Sequence, residues 1–194
     1  MKRSTLMFAV LPAVALLAGC GGASTNNSAG TTLADNEASY VPPVIADNEA
    51  VATPALTGQA FADTAASTDA YEIAAGKLAM TKATSQALKD FGDMMVKNHT
   101  DSTAKLKAAA GKANPAIAPN PELTEEQKAN LDTLEDATGA DFDAAYKSQQ
   151  LVTHQKALAA VQAYAATGDV PEIKAWAAET APVIQTHLET IQGM

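Results

Sequence analysis

The sequence contains little cysteine, little arginine and few aromatic residues, and each shortage excludes a class of protein. Cys20 is the only cysteine in 194 residues, so the chain has no internal disulfide and no pair of thiols for redox chemistry. Arg3 is the only arginine, and 13 basic residues against 22 acidic ones exclude the basic surface that binds nucleic acid. Aromatic residues make up only 5% of the chain, and the alanine-rich apolar share favours helices over sheets.

The first twenty residues have the features of an export signal. Residues 1–3 carry positive charge, and residues 6–17 form an apolar run that is too short to cross a bilayer as a stable helix. The run ends in the tetrapeptide LAGC, whose last residue is Cys20, and this resembles the lipobox of bacterial lipoproteins. The resemblance implies that residues 1–19 are a signal peptide and that Cys20 carries lipid. The alternative is an ordinary secretory signal that contains a cysteine by chance.

A lipid on Cys20 predicts where the protein is found. Each buried acyl methylene contributes about 0.8 kcal/mol, so several chains together hold a protein stably at a membrane. Gly21, not an aspartate, follows the cysteine, which in lipoproteins of Gram-negative bacteria usually goes with sorting to the outer membrane. The resemblance therefore implies a bacterial outer-membrane lipoprotein with its domain in the periplasm and the membrane as its partner.

Residues 20–56 are predicted to form a disordered tether behind the lipidated cysteine. They are rich in Ser, Thr, Asn, Ala and Pro and show neither a helical nor a strand period. The pentapeptide ADNEA occurs twice, at residues 34–38 and 46–50, either as a small duplication or as a docking motif. A coil of this length has a root-mean-square span of roughly 30 Å, so we expect the domain to move freely near its anchor.

The remaining residues, 57–194, are predicted to form one helical domain. Apolar residues recur there at the 3.6-residue spacing of helices, and the segment is long enough for one core. Capping residues and helix breakers divide it into five helices. The first starts near Thr57, and the later boundaries are Thr84 or Ser85 to Gly111, Thr124 to about Thr138, Thr138 with Asp141 to Gly168, and Asp169 onward.

Loop lengths predict how these helices are arranged. Short turns join the first two helices and the last two, so each pair is expected to be antiparallel. Residues 112–138 lie between the pairs, include the short third helix and are long enough to run the length of a bundle. The predicted fold class is therefore all-α, a ferritin-like four-helix bundle with one long crossover that contains a short extra helix.

Four polar residues interrupt the apolar stripes of the long helices. Glu72 lies on the first helix, His99 on the second, His154 on the fourth and His187 on the fifth. At a rise of about 1.5 Å per residue, Glu72 and His99 lie at similar depth in the bundle, and so do the other two residues. A carboxylate and three imidazoles in one layer would suit iron, manganese, zinc or copper.

Two further considerations bear on this metal hypothesis. Ferritin-like di-iron sites use Glu-x-x-His pairs, but the residues three before the histidines are Val96, Leu151 and Ile184. A di-iron site is therefore disfavoured, and a mononuclear site is left. The competing interpretation is a structural polar layer without metal, in which the four residues bond one another or nearby hydroxyl groups. The neighbours available for such bonds are Tyr71, Thr100 and Tyr146.

Several short blocks in the domain follow the pattern of one protein family. The blocks are Phe61 with Ala65 and Ala66, Glu72-Ile73 with Gly76, Leu78 and Ala79, Phe91 with Met95-Val96 and His99-Thr100, Phe142-Asp143 with Tyr146, His154, and Lys174, Trp176-Ala177, Pro182 and His187-Leu188. From about Gln59 to Gln192 the chain thus resembles the bacterial envelope family described as domain of unknown function 4142, which is grouped with ferritin-like proteins. All three histidines fall on histidine positions of the family, whereas Asn98 stands where the family usually has an aspartate. The family has no established activity, so the resemblance implies a fold rather than a function.

The sequence leads to two hypotheses about function. The leading one is a lipid-anchored bacterial envelope protein with a non-enzymatic binding, structural or stress-related helical domain. The alternative is a metal-binding or redox protein that uses Glu72, His99, His154 and His187. No nucleophile motif, phosphate-binding loop or catalytic triad occurs in the sequence, so no catalytic residue is predicted.

Overall fold

The computed structural model describes residues 56–194, and this part of the chain contains five α-helices and no strand. The helices are α1 (Gly58–Lys82), α2 (Gln86–Ala110), α3 (Glu125–Asp136), α4 (Gly139–Thr167) and α5 (Pro171–Gln192). The predicted all-α class is confirmed. Among these helices, none combines the length and hydropathy that a membrane span requires. The predicted signal peptide, Cys20 and, apart from Leu56, the tether lie outside the described residues.

Two of the predicted helix starts are confirmed by their capping hydrogen bonds. The Ser85 side chain accepts a bond from the backbone N–H of Leu88 at 3.2 Å and begins α2. The Thr124 hydroxyl accepts from the N–H of Gln127 at 3.2 Å, and the Gln127 side chain accepts from the N–H of Thr124 at 2.9 Å. This reciprocal capping box satisfies two amide groups that a helix start would otherwise leave unpaired.

The predicted start of α4 at Thr138 is confirmed, although without a capping bond, whereas the predicted cap of α5 at Asp169 is wrong. Thr138 directly precedes α4, but its side chain makes no capping hydrogen bond. Val170, not Asp169, is the residue that precedes α5. The Asp169 carboxylate instead accepts a bond from the Tyr164 hydroxyl at 2.7 Å, which directs it back toward the end of α4.

The segment between α2 and α4 runs along the full length of α1. At one end the backbone N–H of Asn120 donates to the Asp63 carboxylate at 2.8 Å, near the start of α1. At the other end the Lys82 ammonium donates to the carbonyl of Leu134 at 2.9 Å, so the end of α3 lies beside the end of α1. α4 therefore begins next to the turn that follows α1, and it runs antiparallel to α1. A bond of 2.9 Å from the Thr84 N–H to the Asp143 carboxylate joins that turn to the first turn of α4.

The buried apolar residues form two clusters, one toward each end of the bundle. The first cluster is made mainly of Phe61, Leu106, Val161, Tyr164, Ile173, Trp176 and Ile184. The second is made mainly of Tyr71, Leu88, Phe91, Met95, Leu134, Phe142, Tyr146 and Ile191. On each long helix, buried polar residues lie near the junction of the two clusters, and apart from Ser67 these are Asp69, Glu72, His99, Gln150, His154 and His187. We call these six residues the polar layer.

The backbones of α1 and α2 touch at a pair of glycines next to the polar layer. A β-carbon added to Gly92 would lie 2.7 Å from the Gly76 carbonyl oxygen, and one added to Gly76 would lie equally close to the Gly92 oxygen. Real β-carbons do not approach so closely, and the groups they would meet are backbone atoms that cannot turn aside. This contact brings α1 close enough for Asp69 to bond His99 on α2.

We expect Gly92→Ala to destabilise the protein, although glycine-to-alanine changes inside helices usually stabilise by roughly 0.5–1 kcal/mol. The added methyl group must push α1 and α2 apart, so we expect a loss of about 1–3 kcal/mol in the free energy of unfolding, measured in urea. Gly193→Ala is the control, because there the nearest atom would be 3.5 Å away. A stabilised Gly92→Ala protein would show that the contact is not rigid.

Candidate metal centre

The three histidines of the chain meet in the polar layer. One ring nitrogen from each of His99, His154 and His187 lies within 4.8 Å of the others, and all three residues are buried. His154 Nε2 and His187 Nδ1 are 3.3 Å apart, within hydrogen-bonding distance. The ring centroids are 5.3 to 5.9 Å apart. The fold thus collects every imidazole of the sequence at one point, from three different helices.

A hydrogen bond holds the outward-facing nitrogen of each ring. His99 Nδ1 lies 2.8 Å from the Asp69 carboxylate, which also accepts a bond from Thr103. His154 Nδ1 lies 2.9 Å from the Gln150 backbone carbonyl, one turn earlier in α4. His187 Nε2 lies 2.8 Å from the Asn98 side-chain nitrogen. Each ring is held through one nitrogen while its other nitrogen faces the cluster, so the three rings are fixed in orientation.

These partners assign the ring protons of two histidines. A backbone carbonyl only accepts, so His154 carries its proton on Nδ1 and presents a lone pair on Nε2. The Asn98 amide nitrogen only donates, so His187 accepts on Nε2 and donates from Nδ1 to His154. His99 Nε2 is different, because it has no hydrogen-bond partner among the described residues although it is buried.

Glu72 lies beside the histidine cluster rather than among the converging nitrogens. Its Oε1 is 3.9 Å from His154 Nδ1, which is the outward-facing nitrogen. Its Oε2 accepts a bond from the Gln150 side chain at 2.7 Å. The converging group contains the three histidines without Glu72. Of the four residues predicted from the sequence, the structure thus gathers three at one point and places the fourth behind His154.

The hydroxyl groups expected to satisfy the layer bond elsewhere. Tyr71 donates to the Gln149 side chain at 2.8 Å, and Thr100 donates to the carbonyl of Val96 at 2.6 Å. Tyr146 is buried without a hydrogen-bond partner in the described part of the chain. Three further buried atoms of the layer also lack one there, and they are Glu72 Oε1, His99 Nε2 and Gln150 Oε1.

Sequence reasoning missed three residues that position the histidines. Asp69 is one turn before Glu72 on α1, and Gln150 is one turn before His154 on α4, so the helical period places both on the buried face. Asn98 was noted only as a departure from the family pattern, whereas it bonds His187 directly. A search for polar residues one turn away from each histidine or glutamate would have found the first two.

Burial and nearby charges shift the pKa values of the three histidines in different directions. Burial opposes the charged form of His99, but the Asp69 hydrogen bond and the charges of Glu72 and Asp69 raise its pKa overall. Burial lowers the pKa of His154. Burial, reinforced by the neighbouring histidines, lowers the pKa of His187 to about 3. The cluster therefore favours a positive charge on one ring at most and keeps the other two neutral.

An all-α bundle with a buried three-histidine cluster belongs to the class of helical domains that could hold a metal in their core. Comparison of the sequence with known protein families identifies the family of the chain. The family model described as Domain of unknown function (DUF4142) matches residues 45–194, and the chain belongs to this family. This confirms the predicted family, and the match begins inside the predicted tether. No curated protein and no solved structure matches the chain.

The lowered pKa of His187 predicts that the protein without added metal loses stability in mild acid. An unfolded histidine titrates near 6.5, so below that pH the unfolded chain binds a proton that folded His187 does not bind until about pH 3. The free energy of unfolding should therefore fall as the pH decreases from about 6.5 to 5, by up to roughly 1.4 kcal/mol per pH unit for this residue. His154 acts in the same direction. His99, whose pKa is raised, is protonated in both states over most of this range and adds little slope.

The measurement is urea unfolding at several pH values between about 6.5 and 5, above the range in which most carboxylates titrate. His187→Gln should reduce the slope, since the variant has no imidazole to protonate at that position. An equal slope in both proteins would show that His187 is not the group responsible.

Proposed function

We propose that this protein binds one transition-metal ion through His99, His154 and His187. The observation that carries the proposal is the convergence of three buried imidazole nitrogens from three helices. Metal–nitrogen bonds of about 2.0–2.1 Å in tetrahedral geometry place ligand nitrogens roughly 3.3 Å apart. The nitrogens of His154 and His187 already have this spacing, at 3.3 Å. The His99 nitrogen lies within 4.8 Å of the other two, so it must move closer by up to about 1.5 Å to complete the set.

The hydrogen bonds behind the rings support the same conclusion. Metal-binding histidines generally donate their other N–H to a carboxylate or a backbone carbonyl, which fixes the ring and makes it a stronger ligand. Asp69 does this for His99, and the carbonyl of Gln150 does it for His154. His187 would bind through Nδ1, so its Nε2 would carry the proton, and the Asn98 amide would turn to offer its oxygen.

The charge of the polar layer also favours a cation. Asp69 and Glu72 are two buried carboxylates, and neither pairs with a lysine or arginine in the described part of the chain. Buried charges are stable only when they are paired or coordinate a metal. A divalent ion among the three neutral imidazoles would balance both carboxylates. Glu72 then stabilises the ion through its negative charge from behind His154 and does not bind the ion directly.

A purely structural polar layer explains the observations less well. Such a layer should satisfy its own buried donors and acceptors. Here His99 Nε2 points to no partner within residues 56–194, although it is the atom that a metal would use. Imidazole ligands suit zinc, copper and iron, whereas manganese prefers oxygen. We therefore propose zinc, copper or iron as the bound metal.

We expect untagged protein to retain about one zinc, copper or iron ion per chain after dialysis, measured by elemental analysis. The chain has only three histidines, so removal of any one should abolish tight binding, and His99→Ala, His154→Ala and His187→Ala are the variants. Asp69→Asn should weaken affinity by about 10–100-fold, because it removes the partner that orients His99. Each variant is first checked for helix content by circular dichroism.

Two exposed positions supply matched controls for these variants. Gln155→Ala changes the exposed neighbour of His154 on the same helix, and Asp132→Asn changes an exposed aspartate on α3. Both should bind metal like the unchanged protein. The proposal fails if no metal is retained under any supply, or if folded histidine variants retain as much metal as the controls.

We also propose that the domain is a lipoprotein of the bacterial cell envelope, anchored in the outer membrane by lipid on Cys20. The support is the sequence alone, with a charged start, a short apolar run and the LAGC tetrapeptide. A lipid anchor would keep the metal centre close to a membrane while the tether lets the domain move.

Cys20→Ser should move the protein from the membrane fraction to the soluble fraction of cells, because serine cannot form the thioether to the lipid. The fractions are compared by immunoblotting after centrifugation, with Ser24→Ala in the adjoining tether as the control. An unchanged distribution of the Cys20→Ser protein would contradict the anchor.

A further inference from the structure

An apolar cavity of about 60 Å³ lies against the histidine cluster. His99 and His187 form part of its wall, whereas His154 does not. The two polar residues that hold these histidines, Asp69 and Asn98, also line it. Most of the remaining wall is apolar and includes Phe61, Ala65, Ala157, Val161, Trp176 and Ile184. The cavity therefore borders two of the three histidines together with their polar partners, and the rest of its wall is mostly apolar.

Two buried polar atoms on the cavity wall residues lack a partner in the described part of the chain. They are His99 Nε2 and the indole nitrogen of Trp176, and both residues are only 6% exposed. A buried donor without an acceptor costs about 1–3 kcal/mol, so most buried donors in proteins are paired. A ligand atom in the cavity that accepts a hydrogen bond would satisfy the indole N–H.

A surface groove between α2 and α5 adjoins the cavity. Groove and cavity share part of their walls, namely Asn98, Ser102, Trp176, Thr180 and Val183. The outer rim of the groove carries the exposed residues Asp101, Lys105 and Glu179. Val183 lines both the groove and the cavity and is 43% exposed. A small molecule can reach the histidines by this route.

We propose that the metal centre takes a small neutral molecule from this cavity as an additional ligand, a proposal that rests on the metal binding proposed above. Three protein ligands leave a coordination position open, as in catalytic zinc sites. We place the open position toward the cavity, because the cavity borders His99 and His187. The ligand class is a neutral diatomic molecule such as carbon monoxide, nitric oxide or dioxygen, whose lone pair forms a coordinate bond to the metal.

Size and polarity select this class. A cavity must offer about 10–15 Å³ to hold one water molecule, so 60 Å³ accommodates roughly four to six non-hydrogen atoms, which is enough for a diatomic molecule and too little for a large ligand. The apolar wall disfavours an anion, because moving a charge out of water without a partner is costly. Asp69, which lines the cavity and accepts bonds from His99 and Thr103, adds repulsion against negative charge.

The test uses the full, untagged chain in two metal forms. Protein loaded with copper and reduced to copper(I) is titrated with carbon monoxide, and the bound C–O stretch is followed by infrared spectroscopy. Protein loaded with iron(II) is titrated with nitric oxide and followed by electron paramagnetic resonance. We expect saturable binding in at least one form. Metal content is measured on the same samples. Loss of the metal contradicts the proposed function, whereas retained metal without ligand binding overturns only this inference.

A cavity-filling variant tests the location of the ligand. Ala157→Leu places a larger side chain in the cavity, and Ala159→Leu makes the same change at an exposed position two residues away on α4. Ala157→Leu should retain metal but weaken binding of the diatomic molecule by at least about tenfold, whereas Ala159→Leu should leave it unchanged. Ala65→Leu, which fills the cavity from α1, replaces Ala157→Leu if the latter fails to fold. Equal affinity in a folded filled variant and the control overturns the proposal.

The single tryptophan of the chain provides a readout that does not depend on metal. Trp176 lines the cavity, so dissolved xenon, a neutral apolar atom, should quench its fluorescence in metal-free protein, whereas iodide should not. Filling the cavity with Ala157→Leu should reduce quenching by xenon relative to Ala159→Leu. Equal xenon quenching in the two variants shows that neutral molecules do not use the cavity and overturns the proposal.

Discussion

The structure depends on keeping two carboxylates and three imidazoles paired inside a helical core. Buried polar groups destabilise a fold unless they find partners, so each member of the polar layer constrains the position of another. Asp69 ties α1 to α2 through His99, and His154 ties α4 to α5 through His187. These bonds join the two helices of each pair in the region between the two apolar clusters. Specificity of packing in this alanine-rich core comes from its polar residues.

Close approach of the helices is the condition for this pairing. The contact of Gly76 with Gly92 brings α1 and α2 together, so the short side chain of Asp69 can reach His99. The buried aromatic side chains belong to the two apolar clusters on either side of the polar layer.

Much of the fold could be predicted because local signals and tertiary structure agree. Ser85 and Thr124 begin helices through bonds to residues three positions away, which sequence alone can identify. Asp169 failed as a predicted cap because a tertiary partner, the Tyr164 hydroxyl, competes for its carboxylate. At the candidate metal site, the helical period predicted that the histidines lie at a similar depth in the bundle, but it could not predict the directions in which the buried side chains point. Asp69 and Glu72 are both on the buried face of α1, and only the packing of α2 and α4 decides which one meets His99.

The long crossover also determines where the two ends of the domain lie. α5 starts beside the start of α1, since a β-carbon on Gly58 would touch Val170, and its last turn, at Ile191, packs in the cluster formed with the end of α1. The first helix therefore begins at one pole of the bundle, and the last helix ends at the other. The two poles are separated by the length of α1, which has 25 residues and is roughly 37 Å long. A protein module fused after Met194 would project from the pole opposite the point of entry, where it would not cover the α2–α5 groove.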